Sequence, residues 1–336
     1  MKLTTALEHA IAQLKDGKLV AIPTETVYGL AGNAFSDQAI KLIYAIKNRP
    51  TNNPLIVHVK GKQEMHKVAK NIPEAALKLA DLFWPGPLTL VLEKQDSISD
   101  LITAGKDTVG VRVPDHKLTL KLLASIDFPL VAPSANRSNH ISPTSPDHVR
   151  KSLGEKAPYV LDGGNCTKGI ESTIVGFRDD EVLLYRRGAI GKEQLENALK
   201  CKIKEVNNEI SPQSPGMFKK HYAPNTPLVI FKDLEALLPW YKDDKIGVIS
   251  FQGYLNLSEK VVQKVLSPKG DLNEYAAQLY ATLYEMDEMN LDLILIEETP
   301  EVGIGSAIND RIRRAAYQEV EEKAENPSAR YPIIFL

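Results

Sequence analysis

The chain of 336 residues reads as an α/β protein built in two parts. Three observations predict this. Stretches with the apolar spacing of helices alternate with short aliphatic runs suited to strands. Arg178-Asp179-Asp180 falls between two such runs as the turn of a hairpin, which argues for a mixed rather than a purely parallel sheet. An irregular tract over 206–226, rich in Pro, Ser and Asn, separates a long first alternation from a shorter second one. The length exceeds one typical domain. The division expected is 1–205, a connector over 206–226, and 227–336.

The elements follow in order. Residues 4–15 carry the pattern of an amphipathic helix and 18–22 that of a buried strand. A second helix is expected over 36–46, with Ser36 as its N-cap. Residues 55–59 form a strand, and a helix over 73–83 runs into Trp84-Pro85-Gly86-Pro87, which must break it. Strands follow at 88–92, 108–113, 129–132, 159–161, 172–176 and 182–186. Beyond the connector, strands are expected at 228–231, 246–250, 261–266 and 292–297. Helices there fall at 233–241, 271–289 (capped by Asp271) and 306–321. This βα rhythm describes a small three-layer domain.

Composition narrows the function. Hydrophobic content of 43% and charged content of 25% describe an ordinary globular chain with ample core material. A net charge of −2 argues against a general electrostatic grip on nucleic acid. No run approaches the ~18 apolar residues of a membrane span. Met1 to Thr5 lacks the apolar core of a secretory signal, so the chain reads as cytoplasmic. Cys166 and Cys201 make neither a disulfide framework nor a CxxC pair, and the 7 histidines lack metal-ligand spacing. No P-loop signature occurs, and Gly303-Ile304-Gly305 lacks the third glycine of a dinucleotide fingerprint. That segment is a helix start able to hold an anion or, the favoured reading, a tight strand-to-helix turn.

The residues that point to chemistry begin with Lys47 and Arg49. Pro50 disfavours helical backbone at Arg49, and an extended segment would send residues two apart to the same side. Two adjacent cations invite a polyanion such as a nucleoside triphosphate; a solvated surface pair is the alternative. In Thr108 to Val113 the valines take one face, while Thr108, Gly110 and Arg112 share the other. By the same parity Thr24, Thr26 and Tyr28 go together, as do Ala132, Ser134 and Asn136. His58 sits between Val57 and Val59, on the side away from the aliphatic residues. Each has a plain structural explanation alone. Together they suit a polar floor for a ligand, since a solvated sheet face normally carries Lys and Glu.

Several segments resemble one family. They are Pro23-Thr24-Glu25-Thr26-Val27-Tyr28-Gly29-Leu30, Lys47-Asn48-Arg49-Pro50, Asn53-Pro54-Leu55-Ile56-Val57-His58 and Trp84-Pro85-Gly86-Pro87-Leu88-Thr89. Pro133-Ser134-Ala135-Asn136, Glu171-Ser172-Thr173-Ile174, Arg186-Arg187-Gly188 and Lys220-His221-Tyr222-Ala223-Pro224 follow. In this order they resemble the threonylcarbamoyl-AMP synthase, or YrdC-domain, family in its two-domain form. The resemblance spans essentially the whole chain. It implies a YrdC-like twisted mixed sheet with a concave cleft, a connector that folds over the cleft as a lid, and a smaller Rossmann-like C-terminal domain. It also implies a reaction: L-threonine, bicarbonate or CO2, and ATP give L-threonylcarbamoyladenylate and pyrophosphate. That product serves the t6A modification of tRNA.

By motif, the resemblance gives Lys47 and Arg49 the catalytic task of neutralising phosphates. It places Arg49, Asn53, Thr108, Ser134, Asn136, Ser142, Arg186 and Tyr222 on ATP. Arg112 would take the threonine carboxylate as a planar fork, with Thr26, His58, Ala132 and Ser172 around the rest of threonine. Mg2+ is expected with ATP, carried by phosphates and water rather than by a protein metal site. No covalent enzyme intermediate is required, in keeping with the lack of a nucleophile motif. The partners implied are ATP, L-threonine, bicarbonate and, functionally, the tRNA threonylcarbamoyl-transferase complex, with direct tRNA contact not required. One rival is an RNA-binding module without nucleotidyl transfer. Another is a carbamoyltransferase of the hydrogenase-maturation type, whose zinc-finger-like and acylphosphatase-like segments have no counterpart here.

Overall fold

The computed structural model describes residues 3–206 and 221–316. Its first sheet has ten strands. In chain order these are β1 (Val20–Ile22), β2 (Gly29–Asn33), β3 (Ile56–His58), β4 (Leu88–Glu93), β5 (Thr108–Arg112), β6 (Leu130–Val131), β7 (Tyr159–Val160), β8 (Thr173–Arg178), β9 (Glu181–Arg186) and β10 (Lys204–Glu205). Across the sheet they lie in the order β10-β9-β8-β4-β5-β3-β6-β2-β1-β7. Parallel pairs such as β3–β5 and β4–β8 adjoin antiparallel ones such as β4–β5 and β8–β9, so the sheet is mixed as expected. Asp179 and Asp180 both take positive φ in the β8–β9 turn, as a two-residue hairpin favours.

The helices of this part are α1 (Leu3–Lys15), α2 (Asp37–Lys47), α3 (Glu74–Phe83), α4 (Asp100–Thr103), α5 (Lys117–Ala124), α6 (Pro146–Leu153) and α7 (Lys192–Leu199). Ser36 caps α2 by accepting the Ala39 N–H, which satisfies one of the free donors at the helix start. Val57, Leu90, Val109, Val111 and Val175 pack with Ile40, Ile43 and Leu79 of α2 and α3 in one core. Each buried aliphatic chain contributes on the order of 2 kcal/mol, so these strands cannot slip by one residue. Alternation then turns Ile56, His58 and Arg112 to the opposite face, where they line a cleft. A separate core of Leu14, Val20, Ile22, Leu118 and Leu122 packs α1 and α5 on β1.

The second sheet is wholly parallel, with β11 (Leu228–Phe231), β12 (Ile246–Ser250), β13 (Val262–Val265) and β14 (Leu293–Glu297) in the order β11-β14-β12-β13. Its helices are α8 (Leu234–Leu237), α9 (Leu272–Asp287) and α10 (Gly305–Ala316). Ile294 and Ile296 face α9 and α10, while Leu293 and Leu295 face the opposite core with Leu234 and Leu237. Burial on both faces explains the unbroken aliphatic run of β14.

Some expectations need correction. The helix over 233–241 splits into α8 and a 3-10 turn over Leu238–Tyr241, because Pro239 has no N–H to continue the α-helical ladder. The segment 23–28 is a turn and not a strand, since the Thr24 hydroxyl accepts the N–H groups of Thr26 and Val27. Parity therefore fails there, and the Tyr28 hydroxyl donates to Gly164 O. Strand β2, with its Gly-Leu-Ala-Gly-Asn sequence, and helices α4 to α7 were not anticipated by pattern. Residues 207–220 of the connector and 317–321 of the last expected helix lie outside the described residues.

Candidate active site

The cleft collects Thr24, Thr26, Val27, Gly29, Arg49, Ile56, His58, Arg112, Ala132, Pro133, Ser134, Glu171, Ser172, Arg186, His221 and Tyr222. Its walls come from the turn before β2, the C-terminal end of α2, strands β3, β5 and β9, the segments after β6 and before β8, and the described end of the connector.

Arg49 reaches the cleft through the cap of α2. Asn48 adopts the left-handed conformation (φ 49°) and ends the helix, while the Arg49 N–H returns to Tyr44 O at 3.0 Å. A left-handed residue between Lys47 and Arg49 replaces the extended segment expected, and the two cations part company. Lys47 Nζ lies under the loop after β6, donating to Ser134 O and Asn136 O at 2.5 Å each and to Asn136 Oδ1 at 3.4 Å. Burial, aided by Arg49, pulls the Lys47 pKa well below the usual amine range. Arg49 donates to Asn53 Oδ1 (2.5 Å), Asn53 O (3.2 Å) and Pro54 O (2.9 Å), all neutral oxygens. Burial lowers its pKa to about 10, so it stays cationic at neutral pH. Both residues are buried, which removes the solvated-pair alternative.

The opposite end is built on β5. Arg112 Nη2 contacts Glu25 Oε1 at 2.7 Å and Thr26 Oγ1 at 3.0 Å, and Nε donates to Gly86 O at 3.2 Å. The guanidinium is thus engaged on one edge, and Nη1 is the nitrogen left for a ligand. His58, beside it, has its pKa pushed down to about 3 by burial and by Arg112, so the imidazole is neutral. Ser172 Oγ lies 2.8 Å from Thr89 Oγ1 and accepts from Arg186 Nη2 at 3.1 Å.

Glu171 lies in the cleft wall next to Ser172. Burial alone would raise its pKa, but Arg311 and Arg186, with the Ser142 hydroxyl, hold it down to about 2. Ser142 Oγ donates to its Oε1 at 2.7 Å, and Arg311 Nε to its Oε2 at 2.7 Å. His221 and Tyr222 line the cleft from the described end of the connector. Burial lowers the His221 pKa to about 3 and raises that of Tyr222.

Of the residues singled out by sequence, Thr26, Arg49, His58, Arg112, Ala132, Ser134, Ser172, Arg186 and Tyr222 meet in the cleft. Lys47, Asn53, Asn136 and Ser142 stand one layer behind, each bonded to a wall residue or its loop. Thr108, at the far end of β5, pairs with Glu93. Four residues of strand put it roughly 13 Å along the chain from Arg112. Glu25, Glu171 and Arg311 were missed as site residues. The first two stand inside quoted motifs, but a carboxylate among arginines gives no sequence signal without knowing which arginine it meets.

A domain family described as "Telomere recombination" (Sua5, YciO and YrdC proteins) matches residues 12–188. One described as "Threonylcarbamoyl-AMP synthase, C-terminal domain" matches 190–317. A protein of Pyrococcus abyssi named threonylcarbamoyl-AMP synthase is 37% identical over 317 residues, covering 90% of this chain and 92% of the relative. A Bacillus subtilis protein of the same name is 39% identical over 321 residues, 92% of each. This chain belongs to the threonylcarbamoyl-AMP synthase family. Among solved members, the crystal structure of P. abyssi Sua5 complexed with L-threonine matches with a TM-score of 0.85 at 37% identity, covering 94% of this chain and 95% of that one. The RNA-binding rival is not favoured by these relatives. No described helix is long and apolar enough to cross a membrane.

Proposed function

We propose that the cleft joins L-threonine, CO2 or bicarbonate, and ATP into L-threonylcarbamoyladenylate with release of pyrophosphate. The observation that carries this reading is the convergence of Arg49, Arg112 and Arg186, all buried, on one cleft. Two mutually repelling anions need fixed, desolvated cations to meet.

The threonine amine gives up a proton and forms a C–N bond to CO2. One oxygen of the resulting carbamate attacks the α-phosphorus of ATP, and the bond to pyrophosphate breaks with its electrons leaving on the bridging oxygen. Arg112 Nη1 takes the threonine carboxylate, while Thr26, His58, Ala132 and Ser172 surround the side chain and amine. A neutral His58 accepts or donates a hydrogen bond there without competing for the carboxylate as a cation. Arg49, oriented by Asn53, and Arg186 neutralise the phosphates. Ser134 contacts the nucleotide, and Lys47 with Asn136 keeps that loop in place. Ser142 acts through Glu171, and Tyr222 covers the site and excludes water.

Mg2+ would accompany ATP and supply charge neutralisation, held by ligands other than this chain's carboxylates. Glu171 in the cleft wall is ion-paired with Arg311, and Glu25 behind it with Arg112, so neither carboxylate is free of a cation. In the cytoplasm the product would supply the tRNA threonylcarbamoyl-transferase complex, a role that does not require this chain to hold tRNA itself. The test is incubation with ATP, Mg2+, bicarbonate and L-threonine. Threonine-dependent pyrophosphate release with a threonine-bearing adenylate is expected; pyrophosphate release indifferent to threonine would remove the reading.

A further inference from the structure

We infer that Arg311, on the last described helix of the C-terminal part, is a positioning residue of the cleft that acts through Glu171 and Tyr222. The inference rests on the reading above for which ligand is affected. Its physical basis is a group of bonds that crosses from one sheet system to the other.

Arg311 is buried, and its guanidinium is engaged on every edge. Nε donates to Glu171 Oε2 at 2.7 Å, Nη2 to Arg187 O at 2.8 Å and Nη1 to Asp310 Oδ2 at 2.5 Å. Its flat face lies over the Tyr222 ring, with Cζ 4.9 Å from the ring centre. Planarity and the three bonds leave the group no alternative orientation. Glu171 is held equally tightly, since Ser142 Oγ (2.7 Å) and Tyr280 OH (3.2 Å) both donate to its Oε1.

Tyr222 needs such a seat. It holds φ at 66°, a conformation unfavourable for a bulky residue, so its surroundings must impose it. Those surroundings are the Arg311 face, the Tyr280 ring 5.9 Å away and the His221 ring at 3.9 Å. Two of the three come from α9 and α10. Among the described residues the Tyr222 hydroxyl is buried without a hydrogen-bond partner, although the residue lines the cleft. A buried donor left open in a cleft is placed for a ligand. The frame is also close-packed: a Cβ on Gly169 (φ 71°) would sit 2.3 Å from Ala276 O of α9. Without Arg311, Glu171 would be a buried carboxylate missing its cation, and Tyr222 would lose the plane beneath its ring.

The test compares full-length Arg311→Met, Glu171→Gln and the double variant by thermal unfolding, steady-state kinetics and calorimetric titration with ATP and with L-threonine. Removing one partner of a buried pair strands the other charge, whereas removing both relieves it. Arg311→Met is therefore expected to lower the Tm, and the double variant to recover most of that loss. The KM for ATP is expected to rise at least ~10-fold in both, because neither restores the seat of Tyr222, while the affinity for L-threonine holds within ~2-fold. Tyr222→Phe should raise the ATP KM in the parent and add little on top of Arg311→Met. Kinetics that recover with stability in the double variant would overturn the inference, leaving Arg311 a merely structural pair. An unchanged ATP KM in either arginine variant would also overturn it. Should the parent bind both ligands yet form no adenylate, the proposed reaction fails separately, and the calorimetric ATP affinities still decide the role of Arg311. A parent that binds no ATP would overturn both.

Discussion

The four-stranded sheet buries both of its faces, whereas the ten-stranded sheet turns one face of its central strands toward a cleft. The same alternation of strands and helices underlies both. They differ in what becomes of buried polar atoms. In the C-terminal part Thr299 and Asn309 satisfy each other, with Thr299 N donating to Asn309 Oδ1 at 2.8 Å and Asn309 Nδ2 to Thr299 O at 2.7 Å. In the cleft, His58 Nδ1, His221 Nδ1 and the Tyr222 hydroxyl are buried without a partner among the described residues. An unmatched buried donor or acceptor costs on the order of 1–3 kcal/mol. Where polar atoms close on each other a fold is being held together; where several stay open in one place, a ligand is expected to complete them.

That contrast can be broken most directly at the cations. Arg49→Ala should weaken ATP binding and Arg112→Ala L-threonine binding, each by on the order of 2–5 kcal/mol, the usual effect of truncating one member of a desolvated charge pair. Calorimetric titration of both ligands into both variants checks this, and two unchanged affinities in both would dissolve the assignment. Leu295→Ala, in the central strand of the closed sheet, should destabilise by about 3 kcal/mol through its cavity. The folded fraction should keep its substrate KM values, and denaturant titration beside kinetics would show whether the two effects separate.

Acid should distinguish the cleft next. His58 and His221 have folded pKa values of about 3 against 6.5 for the free side chain, so the unfolded chain binds their protons first. Stability is then fully present above pH 6.5 and falls as the pH drops toward 3. Glu171, held at about 2 against 4.5, adds to the loss between those values. His58→Gln should flatten the fall in stability by about 1 kcal/mol per pH unit. Parallel unfolding curves for parent and variant across pH 6 to 4 would show that this imidazole does not titrate as described. The smallest effect belongs to Ser36→Ala, which removes the N-cap of α2 and should lower stability by about 1 kcal/mol. A thermal scan measures it, and a rise in Tm would contradict the capping role.

Much of this was legible beforehand where side-chain period and burial agree. Val109 and Val111 against Gly110 and Arg112 announced which face of β5 is core, and the structure keeps that division. Ser36 and the hairpin at Asp179 and Asp180 were readable because a cap or turn is a local contract between neighbours. What failed was local inference carried past a turn. Thr24, Thr26 and Tyr28 were read as one strand face, but the Thr24 hydroxyl bends the chain and sends Tyr28 elsewhere. Lys47 and Arg49 were read as a side-by-side pair, yet one left-handed residue sends them to different layers. Glu171 meeting Arg311 spans 140 residues of sequence, and no periodicity reports a contact of that kind.

Lys47 leaves one last mark on the molecule. A buried amino group that gathers Ser134 O, Asn136 O and Asn136 Oδ1 acts as an internal staple for the loop that bears Ser134. If the nucleotide binds there as proposed, the freedom that loop would otherwise surrender to it is surrendered during folding instead. Docking at that wall would then begin from a preset template, and the ordering penalty left would fall chiefly on the ligand's own flexible phosphate chain.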